Sequence, residues 1–128
     1  MTKKRVLKTK AFAKWVNKSG LNALHLLGAI EEMEKGLIDA NLGGSVYKKR
    51  VKLQGLGKRG GARVIVATRL FKRWYFMFGF AKNEKSNITN DELLYIQETA
   101  KRLLNLADSE IDKAITSGTL EEINIDEK

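Results

Sequence analysis

The chain has no cysteine, no proline and a single histidine in 128 residues. The lack of cysteine removes disulfides, thiolate nucleophiles and Cys-based zinc sites together. With His25 as the only imidazole, a two-histidine ribonuclease mechanism is excluded, and so is an ordinary Ser-His-Asp triad. A transition-metal site is starved of ligands for the same reason. No apolar run approaches the roughly 18 residues of a membrane span. The basic opening, MTKKRVLKTK, is not followed by the apolar stretch of a signal peptide, so a cytoplasmic protein is expected. No P-loop pattern occurs. Gly55-Leu56-Gly57-Lys58-Arg59-Gly60 matches the dinucleotide-binding pattern of glycines literally, but a strand pattern follows it where that motif needs a helix. The residues leave two readings of this stretch: a flexible hairpin loop, or a basic loop that lets a nucleic-acid strand come close.

What the chain has in abundance is positive charge, unevenly placed. The formal net charge is +9, with 24 Lys and Arg against 15 Asp and Glu. Segment 1–18 carries +7, segment 19–47 carries −3, segment 48–85 carries +11 and segment 86–128 carries −6. The 48–85 block holds Lys48, Lys49, Arg50, Lys52, Lys58, Arg59, Arg63, Arg69, Lys72, Arg73, Lys82 and Lys85 against one acid, Glu84. Clustered cations of this density are the electrostatic footprint of a surface that meets phosphate. Glu84, between Lys82 and Lys85, reads as a local ion-pair partner, and the remaining acids offer no catalytic pair.

At this length one domain, 1–128, is expected. Arg5–Thr9 alternates like a short strand, and Thr9 can cap a helix to about Lys18 that buries Phe12, Trp15 and Val16. A second helix over about 21–35 carries an apolar stripe of Leu24, Leu27, Ile30 and Met33, with Gly36 at its C-terminal cap. The short break between them makes a helical hairpin. Strands are predicted at 46–53, 62–69 and 74–81. On the first, Lys48, Arg50 and Lys52 share one face, and Tyr47, Val51 and Leu53 the other. Lys49 falls on the apolar side and must snorkel or sit near an edge. Trp74, Tyr75, Phe76, Phe78 and Phe80 read as core. Thr89 with Glu92 forms a capping-box pattern that opens a helix to about Ala107. Asp108 can cap a last short helix, and the acidic tail after Gly118 alternates enough to pair as an edge strand. The expected fold class is α+β: an N-terminal helical hairpin, a small antiparallel meander of three or four strands, and C-terminal helices. With the helices packed on one face, the other would present the Lys48, Arg50, Lys52 row to solvent.

Three strings carry a resemblance. They are Lys48-Lys49-Arg50-Val51, then Gly57 through Arg63 (GKRGGAR), then Gly79 through Ile88 (GFAKNEKSNI). In combination they resemble the RelE family of bacterial type II toxins, within the RelE/ParE superfamily, in the branch marked by KKRV, GKRGGxR and GFAKNExxNI. The resemblance runs over nearly the whole chain. It implies a RelE-like fold, a cognate antitoxin as partner, and the ribosome and messenger RNA as targets. It implies no membrane partner, metal or small-molecule cofactor. The implied activity is ribosome-dependent, metal-independent endoribonucleolytic cleavage of messenger RNA, which inhibits translation. A ribose 2′-hydroxyl attacks the adjacent phosphate, so a proton acceptor, a proton donor and cations for the phosphorane are needed. By the resemblance, Arg63 is the phosphate-contacting arginine, with Lys52, Lys82 and Lys85 as the other catalytic candidates. Tyr47, Lys48, Lys49, Arg50, Lys58, Arg59 and Asn83 are the RNA-binding candidates.

Two positions depart from the family pattern. Asn83 stands where an arginine is expected, and Thr89 where a tyrosine is expected. Whether the chain is an enzyme therefore stays open, and two other readings remain. One is a ParE-like, gyrase-inhibiting toxin on the same fold. The other is a non-catalytic nucleic-acid-binding domain.

Overall fold

A computed structural model describes residues 4–52 and 61–125. In chain order the elements are β1 (Arg5–Thr9), α1 (Lys10–Ser19), α2 (Ala23–Glu34), β2 (Ala40–Gly43), β3 (Val46–Val51), β4 (Ala62–Arg69), β5 (Arg73–Ala81), α3 (Asn90–Leu104), α4 (Asp108–Thr116) and β6 (Leu120–Ile123). The fold is α+β with one mixed sheet of six strands, in the order β2-β3-β4-β5-β1-β6. No helix among the described residues is long and apolar enough to cross a membrane.

The sheet departs from the expected meander in two ways. First, β1 lies beside β5 and runs parallel to it, with Val6 opposite Trp74 and Leu7 opposite Tyr75, while β6 closes on its other side antiparallel. Val6 and Leu7 are both fully buried on opposite faces, which only an interior strand position provides. The helical hairpin then carries the chain across to the far edge, where β2 begins. Second, the sheet is covered on both faces. Residues of α1 and α2 pack over Val6, Val64, Val66, Trp74 and Phe76, and those of α3 and α4 pack over Leu7, Ile65, Ala67, Tyr75 and Met77. The continuous apolar runs of β4 and β5 demand this, because a sheet with one wet face would alternate. The Lys48, Arg50, Lys52 row therefore belongs to the margin of a two-sided sheet and not to an open face.

The helix ends follow from local chemistry. Thr9 Oγ1 accepts from the Phe12 N–H (3.2 Å) and starts α1 directly from β1. Helix α2 begins later than expected, capped by Asn22, whose Oδ1 accepts from the His25 N–H (3.0 Å). His25 Nδ1 in turn accepts from the Asn22 N–H (3.1 Å), so the only imidazole serves the cap. Thr89 and Glu92 form the expected reciprocal pair at the start of α3. This helix stops at Leu104, and Ala107, not Asp108, occupies the cap position of α4. The Asp108 carboxylate is turned to Arg5 and Arg73 instead. Gly79 in β5 has the Trp15 ring of α1 lying where a Cβ would stand, which fixes how closely α1 approaches the sheet.

Candidate nucleic-acid interface

The antiparallel register sets Arg50 of β3 opposite Arg63 of β4, and Arg63 opposite Phe80 of β5. Arg63 is only 9% exposed. A side chain at Gly61 would fill the space beside both cations: a Cβ there would lie 3.6 Å from Arg63 Nη1 and 3.8 Å from Arg50 Cγ. Arg63 Nη1 donates to the Ala62 carbonyl at 3.4 Å, and its Nε lies 3.9 Å from Asp39 Oδ2. A guanidinium carries five N–H donors. Among the described residues these two long contacts are its polar partners.

The other candidates gather around the same end of the sheet. Lys52 is exposed just past β3, and with Arg50 it lines an open cleft shared with His25, Glu32, Asp39 and Lys49. The Lys82 N–H continues the ladder past β5 by donating to the Gly61 carbonyl (3.0 Å), which sets this exposed lysine beside the strand that carries Arg63. Asn83 is exposed in the turn that follows. Lys85 Nζ pairs with Glu92 Oε1 at 2.8 Å. Lys85 and the Thr89 backbone N–H hold the Glu92 carboxyl below its usual range. Thr89, at the position of an expected tyrosine, has its hydroxyl committed to the cap of α3.

Lys49 and Tyr47 are not brought to Arg63. Alternation along β3 directs both toward α2, where Tyr47 packs against the core and Lys49, 6% exposed, pairs with Glu32 at 2.7 Å. The ion pair resolves how a lysine sits on an apolar strand face. Lys48 is half-buried on the Arg50 side. Lys58 and Arg59 lie outside the described residues. Two carboxylates were not legible as site residues. Glu32 sits outside the apolar stripe of α2, and Asp39 in a connection of no pattern. The only signal for them was the demand of a buried Lys49 and Arg63 for counter-charge.

The match to known families decides the affiliation. The model of the RelE toxin of the RelE/RelB toxin-antitoxin system matches residues 4–123. The chain is a RelE-family toxin. No curated protein matches it. The toxin's family implies a cognate antitoxin as partner, and the six-stranded mixed sheet with four helices is consistent with a RelE-like fold.

Proposed function

We propose that this toxin cleaves messenger RNA on the ribosome, with Arg63 as the residue that receives the scissile phosphate. The observation that carries the reading is Arg63 itself: buried, flanked by Arg50 and the Gly61 opening, and with most of its donors unused among the described residues. Attack by the 2′-hydroxyl makes a pentacoordinate phosphorane whose extra charge falls on the non-bridging oxygens. A pre-oriented guanidinium stabilises that charge more than it stabilises the ground state. The hydroxyl proton must leave as the new P–O bond forms, and a proton must reach the departing 5′-oxygen. Exposed Lys52 and Lys82 follow the neighbouring strands β3 and β5, one residue past the partners of Ala62, and are assigned these two transfers. Lys85, anchored by Glu92, adds fixed positive charge. Arg50, Lys48 and Asn83 hold the flanking strand, together with Lys58 and Arg59 of the sequence between β3 and β4.

Purified protein added to a cell-free translation reaction is expected to block reporter synthesis, and Arg63→Ala to relieve the block. Normal synthesis with the wild-type protein contradicts the proposal. A block with transcripts intact and with altered DNA supercoiling in cells would assign the toxin to the gyrase-inhibiting branch.

A further inference from the structure

The hairpin between β4 and β5 is built against local preference. The Lys72 N–H donates to the Arg69 carbonyl (3.4 Å), and the two residues between them, Leu70 and Phe71, both have positive φ, 58° and 56°. Tight hairpins with positive φ at both central positions strongly favour Asn-Gly or Asp-Gly, and bulky side chains there are strained. This turn nevertheless holds two bulky apolar side chains at the surface, with Leu70 80% and Phe71 45% exposed. Nor is the tip loose. The Phe71 ring stacks on buried Trp74 (centroids 5.4 Å apart, planes at 23°), and Trp74 Nε1 donates to the Phe71 carbonyl at 2.9 Å. One ring is therefore held rigidly from behind and open in front. Exposed Arg69 and Lys72 flank it, and neither has a carboxylate partner among the described residues.

We infer that this tip is a second RNA-contacting site, in which an unpaired base stacks on Phe71 while Arg69 and Lys72 hold the adjoining phosphates. An aromatic face beside cations is the arrangement that binds single strands without reading sequence. Strain retained at an exposed position points to a ligand that uses the side chain. Arg63 and Arg69 mark opposite ends of β4, about 20 Å apart at about 3.3 Å per residue, so the tip is separate from the phosphate site. The RNA assignment rests on the proposed function for its biological setting, but the test does not.

The test is a titration of a labelled, unstructured single-stranded RNA into the purified chain, followed by anisotropy, with thermal unfolding recorded for each variant. Phe71→Tyr is expected to bind as wild type and Phe71→Ala about tenfold more weakly. Leu70→Asn combined with Phe71→Gly restores the favoured turn; it should unfold no lower than wild type and still bind about tenfold more weakly. Arg69→Gln and Lys72→Gln should each reduce the salt slope by about 0.7. Unchanged affinity in the folded double variant overturns the inference. So does unchanged RNA affinity combined with lost binding to a co-expressed antitoxin, which would make the tip a protein contact. Weakened RNA binding in the Phe71 variants with transcripts left uncut in extracts would sustain this site and overturn the cleavage reading. Weakened binding in Arg63→Ala alone would do the reverse.

Discussion

Arg63 is buried like a core residue and provisioned like a ligand-binding one, and this combination makes its replacement informative. Arg63→Lys keeps a charge but loses the planar fork, so it is expected to remain defective, with at least about a hundredfold loss of cleavage rate. An Arg63→Lys variant that cuts at the wild-type rate would show that a point charge suffices. Glu92 serves two partners, the Thr89 N–H and Lys85. Its carboxyl is held low in the fold, so its stabilising effect is present above the unfolded value of 4.5 and is lost as pH falls through the lowered folded value. Glu92→Gln keeps the cap acceptor and loses the charge. Its melting temperature should lie below that of wild type at neutral pH, and the gap should close in acid; a gap that persists at low pH contradicts the assignment. At this scale the sequence was informative wherever a residue acts on its near neighbours. Thr9, Thr89 and Glu92 all cap as their spacing implied. It was uninformative about Asp39 and Glu32, whose partners lie on strands further along the chain.

The elements most readily recognised were those with their own punctuation, namely the helices and the long apolar strands. Strand β2 was missed because Ala40–Gly43 is only four residues long and runs into a Gly-Gly pair, and it is held by pairing with β3, with a register shift between Asn41 and Gly43. The parallel placement of β1 was missed because nothing within Arg5–Thr9 says which strand it will meet. Its position is enforced from outside: Arg5 binds Glu122 at 2.8 Å, Asp112 at 2.9 Å and Asp108 at 3.3 Å, and these contacts raise the Arg5 pKa further. Arg5→Ala would leave Glu122 and Asp112 without this cation, and Asp108 with Arg73 alone. It is expected to lower stability by about 1–2 kcal/mol, discounted for the exposure of the partners, with a loss that shrinks as salt rises. Denaturant midpoints at two salt concentrations check this, and a salt-independent loss argues for packing instead. Gly79 gives the complementary case on the other side of β5. Gly79→Ala forces a methyl into Trp15 and should cost about 1–3 kcal/mol, more than an Ala substitution at an exposed strand site. An unchanged melting temperature would mean that α1 sits less tightly than described.

Over the whole molecule both basic segments are answered only in part. In the N-terminal one, the chain's own acidic end meets Arg5, through Glu122, Asp108 and Asp112, and Lys8, through Glu121 at 3.6 Å, and Glu34 meets Lys4, while Lys10, Lys14 and Lys18 on α1 have no carboxylate partner among the described residues. The 48–85 segment is answered only in part, by Glu32, Asp39, Asp108 and Glu92. Lys48, Arg50, Lys52, Arg69, Lys72 and Lys82 have no carboxylate partner among the described residues. Folding thus leaves uncompensated charge along β3, β4 and the turns beside them, as well as on α1, and we assign the first of these surfaces to a polyanion. The sequence made the charge visible, but only the fold separates cations already paired from those still available. The central claim is that this available charge, focused on Arg63, cuts RNA. Mapping transcript 5′ ends in a translating cell-free extract tests it most directly. Wild-type toxin should create new ends within coding regions that require engaged ribosomes and vanish with Arg63→Ala. Transcripts that keep their original ends while translation stops, or cuts that persist without Arg63, would contradict the account.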